Sequence, residues 1–336
     1  MQGSFQNISM VGVASMVPTK IVNNLDLINE KNEKMIRKQI RATGIKEKHC
    51  VSHNQTAVDL CLGAAFCLLE KLEWNPEEIK VLIYVSSYKL FVMPSTAFYI
   101  QNKLGVGMDC YAFDMNLSCS GFVAGIQTLG SLLQHCNEGE KGLLLVGATP
   151  SLDKKKLDTG IVSLFGDAGG VAAFEVREGN STFFSQYSDG KRLSSLYKKN
   201  YHKPLYMDGM EVFNFAISDV ADSINNFFDF FQVKREQVDG FFLHQAQKFI
   251  IEKMMEFCHL PAEKCPVSYE QFGNTDAVSI PLTMCHYANS IVYSGKKKWF
   301  LSGFGAGLSW GNVYLETDDL LVLPVIYSDE TFEKEK

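Results

Sequence analysis

The chain has 336 residues, 46% of them hydrophobic and 21% charged, with a formal net charge of −6. That length buries a large core, as one big domain or two fused halves. The acidic balance excludes a general nucleic-acid binder, and no apolar run reaches the roughly 18 residues that a membrane span requires. Nine cysteines without CxxC pairs or regular spacing point to reduced thiols in a cytoplasmic setting, with no zinc or other metal site. Lys154-Lys155-Lys156, Lys198-Lys199 and Lys296-Lys297-Lys298 are local basic runs, read first as solvated loop faces and second as contacts for an acidic protein or a phosphate.

Along the chain, Ile79 to Ser87 is a continuous apolar run and Tyr111 to Met115 a short buried one; both predict strands. Asn116-Leu117-Ser118-Cys119-Ser120-Gly121-Phe122 follows, after which Phe122, Val123, Ile126, Leu129, Leu132 and Leu133 recur at helical spacing. Cys119 therefore opens a helix, where the partial positive charge and free N–H groups lower a thiol's pKa. The small neighbours Ser118, Ser120 and Gly121 leave room for a substrate, although a cysteine is also commonly a small buried hydrophobe. Gly142 to Ala148 predicts the next strand.

The second half repeats this order. Val238 to Ala246 holds an apolar run ending in His244, Gln271 to Ala277 is a Gly-Asn turn opening a helix, and Lys298 to Gly305 is another strand. Taken singly, His244 reads as a hydrogen-bonded structural residue and Gly273-Asn274 as an ordinary turn. Continuous apolar strands between amphipathic segments argue a mixed α/β fold with buried sheets, with the join near Glu175 to Ser181. Asn312 to Glu316 predicts the last core strand. Beyond it, Leu320 to Tyr327 is strand-like, adding an edge strand or covering a dimer, and the acidic tail from Ser328 is expected to be mobile.

The segments around Cys119, His244 and Asn274, with Phe165 to Gly170 and Gly303-Phe304-Gly305-Ala306-Gly307-Leu308-Ser309-Trp310-Gly311, resemble the motif set of the β-ketoacyl-ACP synthase III family across nearly the whole chain. The resemblance implies a thiolase-like α/β fold of two pseudo-duplicated halves in five layers, α-β-α-β-α, with the site between the halves. Residues 1–176 would carry the nucleophilic cysteine, 177–318 the histidine and asparagine, and 319–336 would form an acidic, partly mobile extension.

It further implies a decarboxylative condensation. Cys119 would take an acyl group from a thioester, His244 and Asn274 would stabilise the enolate of a malonyl thioester, and the backbone N–H groups of Cys119 and Ala306 would form the oxyanion hole. Met93, Met210, Gln245, Ala246, Gln247, Lys248 and Phe304 would contact substrate. Substrates would arrive on acyl carrier protein or CoA with no further cofactor, and the enzyme would be a homodimer.

The departures from the pattern are informative. Lys38 and Ala42 replace a Trp and an Arg that clamp adenine, with Arg41 one place away; Met210, Asn214 and Phe249 replace polar or basic carrier contacts. These changes imply a specialised fatty-acid or secondary-metabolite pathway. They keep two alternatives open: an acyltransferase that makes an ester or amide, and a non-catalytic partner subunit of a synthase heterodimer. Asp276 stands where the family has Ser and reads first as a helix-start cap, second as a carboxylate near His244. Ala306 replaces a usual Gly, with strain expected if its backbone requires positive φ. Met93 replaces a common Phe in a loop that closes a partner's acyl pocket, which implies room for a medium or branched chain.

Overall fold

The computed structural model describes residues 1–52, 54–156, 159–200 and 203–332, without the side chains of 154–156, 159 and 160. Ten strands form its main sheet: β1 (Gln2–Val17), β2 (Ile79–Val85), β3 (Tyr111–Met115), β4 (Lys141–Ala148), β5 (Ala168–Ser188), β6 (Gly240–Leu243), β7 (Lys296–Gly305), β8 (Ser309–Asp318), β9 (Leu321–Val322) and β10 (Ile326–Tyr327). Their order is β6-β7-β8-β5-β4-β2-β3, with β1 running antiparallel beside β5 and with β9 and β10 parallel to β1.

The 21-residue strand β5 is the hinge of this order. Its first part, Ala168 to Glu175, pairs with β4, and its last part, Thr182 to Ser188, pairs with β8. The join expected near Glu175 to Ser181 thus falls inside a continuous strand, where the register against β1 shifts between Gln6 and Ile8. No inter-element loop marks it, because β1 bridges both parts.

Helix composition sorts the layers. Helix α4 (Gly121–Leu133) carries no charged residue and buries most of its surface, and α8 (Ser279–His286) is buried at seven of eight positions. Helices apolar all round belong in a core, and both lie in the hydrophobic cluster that also takes side chains from β1, β2, β4, β5, β7 and β8. A second cluster packs α2 (Ala57–Leu72) and α3 (Thr96–Leu104) against the other faces of β1, β2 and β4. A third packs α5 (Gly209–Phe215), α6 (Ala221–Phe231) and α7 (Lys248–Phe257) against β6, β7 and β8. Outer helices, sheet, central helices, sheet and outer helices are the five layers. The α1 helix (Glu33–Thr43) lies outside them beside α7.

The C-terminal segment does not trail away after β8. Strands β9 and β10 extend the sheet along β1; Gln55 Nε2 donates to the Ser328 and Glu330 carbonyls, and Phe332 N–H donates to Asp59 while its ring meets Phe66 at 5.3 Å. The expected edge strand is there, and the expected loose tail is pinned as far as Phe332. Residues 333–336 lie outside the described residues, as do the side chains of the Lys154-Lys155-Lys156 run.

Candidate active site

Cys119 sits between β3 and α4, two residues before the helix begins, and is 7% exposed. What holds it there is the β7–β8 hairpin. A Cβ on Gly305 would come within 2.8 Å of the Cys119 Cβ and 3.2 Å of its N, so only glycine fits this approach. The contact is locked by Ser120 Oγ and Ser309 Oγ at 2.7 Å, with Ser309 Oγ also donating to the Ala306 carbonyl at 2.7 Å. Gly305→Ala is therefore expected to slow acylation of Cys119 by about 100-fold, the scale of a displaced oxyanion donor. Single-turnover adduct formation followed by intact mass, with circular dichroism as the fold check, tests this; an unchanged rate would mean the hairpin yields without disturbing the nucleophile.

His244 follows β6 and is 2% exposed. Its N–H donates to the Ser302 carbonyl at 2.8 Å, Nδ1 hydrogen-bonds with Ser279 Oγ at 2.8 Å, and Phe304 meets the ring edge-on at 5.2 Å. Burial pulls the imidazole pKa down to about 3, against a smaller opposing effect of the Asp276 backbone. The ring is therefore neutral at physiological pH, with one N–H donor and one acceptor nitrogen.

Asn274 is held by its backbone: its N–H donates to the Leu164 carbonyl at 2.8 Å and its carbonyl accepts from Gly166 at 3.1 Å. Gly273 before it has φ +66°, and a Cβ there would strike the Leu164 oxygen at 2.7 Å, which explains the Gly-Asn pair. The Asn274 side-chain oxygen accepts from the Asp276 N–H at 2.9 Å.

Asp276 corrects an expectation. Its carboxylate does not cap the helix; it accepts from Ser118 Oγ at 2.7 Å, and Ser118 Oγ lies 3.6 Å from Cys119 Sγ. The thiol is corrected with it. Burial first and the Asp276 charge second push Cys119 well above an ordinary cysteine, overriding the helix-start effect that the sequence suggested. Burial also raises Asp276, while bonds from Ser118, Cys119 and the Ala277 backbone favour its charged form. Ala306 needs no positive φ; Gly307, at +141°, takes the unusual conformation instead.

A cavity of 630 Å³ opens onto Cys119, Ser118, Asp276 and Ala306. Its remaining wall includes Tyr88, Leu193, Leu196 and Leu205 and the Asp153–Lys198 ion pair. Lys198, read as a solvated loop face, lines the cavity and lies 5.7 Å over the Tyr88 ring. Of these wall residues only Lys198 is singled out by the sequence, within a basic run; Leu193, Leu196 and Leu205 belong to no motif. Ser118 had a signal of its own, its place beside the cysteine.

The positions expected to contact substrate are spread widely. Phe304 touches His244. Gln245 is buried and spends its side chain on the Leu243 carbonyl and the Ser268 N–H. Ala246 packs in the third cluster, Gln247 precedes α7, and Lys248 pairs with Glu252 at 3.8 Å while its stem crowds Gly44. Met210 and Met93 are exposed, at 69% and 87%. These seven positions are not among the residues lining the Cys119 cavity. On the outer face, Phe213 and Phe249 stack at 5.2 Å beside Met210, and Lys38, Arg41 and Ala42 are exposed on α1.

Central helices between two half-sheets, a cysteine opening one of them, and a histidine and asparagine on turns of the other half make this a thiolase-like α/β condensing enzyme, an acyltransferase. Residues 113–190 match the family profile of 3-oxoacyl-[acyl-carrier-protein] synthase III, and residues 229–317 that of its C-terminal part. The β-ketoacyl-[acyl-carrier-protein] synthase III of Streptococcus agalactiae is 34% identical over 320 residues, spanning 90% of this chain and 97% of that protein. A 3-oxoacyl-(acyl-carrier protein) synthase from Burkholderia xenovorans LB400 superposes with a TM-score of 0.90 at 29% identity, over 98% of this chain and 99% of that one. The Pseudomonas aeruginosa PAO1 synthase III gives 0.81 at 27%, over 94% and 100%. The chain belongs to the β-ketoacyl-ACP synthase III family.

Proposed function

We propose that Cys119 attacks an acyl thioester and holds the acyl group in the 630 Å³ cavity while the carrier thiol leaves. A malonyl thioester, most simply on acyl carrier protein, then places its carbonyl oxygen against the neutral His244 and the Asn274 amide. Loss of CO2 gives an enolate that attacks the acyl carbon. The tetrahedral oxyanions collapse against the backbone N–H groups of Cys119 and Ala306, and Cys119 leaves as the β-ketoacyl thioester forms. Support comes from the single observation that Asp276 and its bonds tie the Cys119 loop to the turn bearing Asn274, with Ser279 of the same segment bonded to His244.

The cavity supports an acyl donor longer than acetyl, since 630 Å³ falls within the range of pockets that enclose drug-sized ligands. Exposed Phe91, Val92 and Met93 on one loop support a homodimer, and nine free cysteines support a cytoplasmic setting. Among the described residues, no helix is long and apolar enough to cross a membrane. The carrier face at Met210 and Phe249 is apolar, which favours a specialised pathway over ordinary acetyl-CoA priming. A panel of acetyl, hexanoyl, octanoyl and branched thioesters on CoA and on carrier protein tests the reading. A medium chain is expected to label Cys119 at least about tenfold faster than acetyl and to discharge with CO2 release on adding malonyl-ACP. Discharge only by an alcohol or amine would mean an ester- or amide-forming enzyme instead.

A further inference from the structure

The cavity wall next to Cys119 carries an unusual charge. Three charged side chains among the described residues line it: Asp153, Lys198 and Asp276. Asp153 and Lys198 form an ion pair with each other. Asp276 has no cation in reach of a salt bridge among the described residues, and its carboxylate is held by a neutral donor, Ser118 Oγ, at 2.7 Å. Among the described residues, three titratable groups near it add no positive charge. Tyr88 and Cys119 are held protonated and neutral by burial, and His244 is a neutral imidazole. The acyl group must be built beside this carboxylate, because Ser118 Oγ bonds to Asp276 at 2.7 Å and lies 3.6 Å from Cys119 Sγ.

We infer that Asp276 makes the Cys119 cavity selective for uncharged acyl groups and turns away donors whose chain ends in a carboxylate, the malonyl extender among them. The inference rests on the acyl-enzyme reading above and adds the class of donor. Burial raises the Asp276 carboxyl pKa, while the bond from Ser118 favours its charged form; in that form, two like charges within one water-poor cavity repel by an amount that corresponds to on the order of 10- to 100-fold in rate or occupancy. Rejection of this kind is specificity by an introduced repulsion. An enzyme whose second substrate carries a carboxylate gains from keeping that substrate off its nucleophile, and the extender's own charge is lost only when it leaves as CO2. Asp276 acts here on the bound acyl group and is a specificity-determining residue; because its charge also raises the Cys119 thiol pKa, the test reads the ratio of two donors in each variant and not the absolute rate.

The test uses the full chain with a matched pair of probes, octanoyl-CoA and suberoyl-CoA, which differ in a terminal carboxylate at equal chain length. Adduct formation on Cys119 is followed by intact mass. The wild type is expected to take octanoyl at least tenfold faster than suberoyl. Asp276→Asn and Asp276→Ser are expected to shrink that ratio at least tenfold, chiefly by raising the suberoyl rate, while Asp276→Glu restores it. Both neutral variants are used so that a folding failure of one leaves the other to decide. Equal labelling of the wild type by the two probes would overturn this inference alone, as would an unchanged ratio in both neutral variants. Absence of any adduct with either probe would overturn the acyl-enzyme reading and the inference with it.

Discussion

Cys119→Ala is expected to abolish the acyl adduct and to lower β-ketoacyl product formation by about 10⁴-fold or more, the scale on which enzymes lose rate when a covalent nucleophile is removed. Burial and access to the cavity favour this cysteine over four others. Nine cysteines are free, and burial raises Cys61, Cys258, Cys265 and Cys285 each to about 12, so all four are poor nucleophiles. Cys119 is also raised, yet it is the one of these five that lines a cavity large enough for a substrate. Decarboxylation of the malonyl thioester needs the enolate stabilisers and not the thiol, so slow CO2 release is expected to survive in the variant. An adduct of unchanged yield in Cys119→Ala would place the nucleophile elsewhere.

The second large effect concerns His244. His244→Ala is expected to leave acylation of Cys119 near its wild-type rate and to lower condensation by about 100- to 1,000-fold, as for loss of one oxyanion donor. Stopped incubations that separate the acyl-enzyme burst from its discharge check this. The pH dependence follows from burial. An unfolded histidine takes a proton below about 6.5, whereas His244 resists protonation down to about 3. The neutral imidazole is therefore retained across the range from pH 8 down to 5, and the condensation rate should show no inflection near 6.5 that His244→Asn removes. Stability has the matching sign. The folded state is fully favoured above 6.5 and loses ground as pH falls from 6.5 toward 3, where only the unfolded chain binds the proton.

Much of this was legible in the sequence. Cys119 before α4, His244 after β6 and Gly273-Asn274 as a turn are local patterns, and the structure puts each where its apolar run or turn chemistry implied. The misses share a physical cause. Local propensity makes Asp276 a helix cap and Cys119 an activated thiol, but both signals are overridden by tertiary packing that buries the two groups against one another. Lys198 and Tyr88 come together across more than a hundred residues of chain, a distance that no period or motif encodes. Strand β5 hid the join for a similar reason: its apolar pattern runs on through the place where its partner changes from β4 to β8.

That shared strand has a mechanical consequence. Neither half owns a complete sheet, since β5 and β1 supply backbone partners to both, and the layer of α4 and α8 is roofed by one half and floored by the other. Opening the site by parting the halves would tear main-chain ladders, so the body cannot breathe like a two-domain clamshell. Substrate access is then expected at the cavity border formed by Leu193, Leu196, Lys198 and Leu205 and at the outer helices, and heating should melt the whole molecule in one cooperative step.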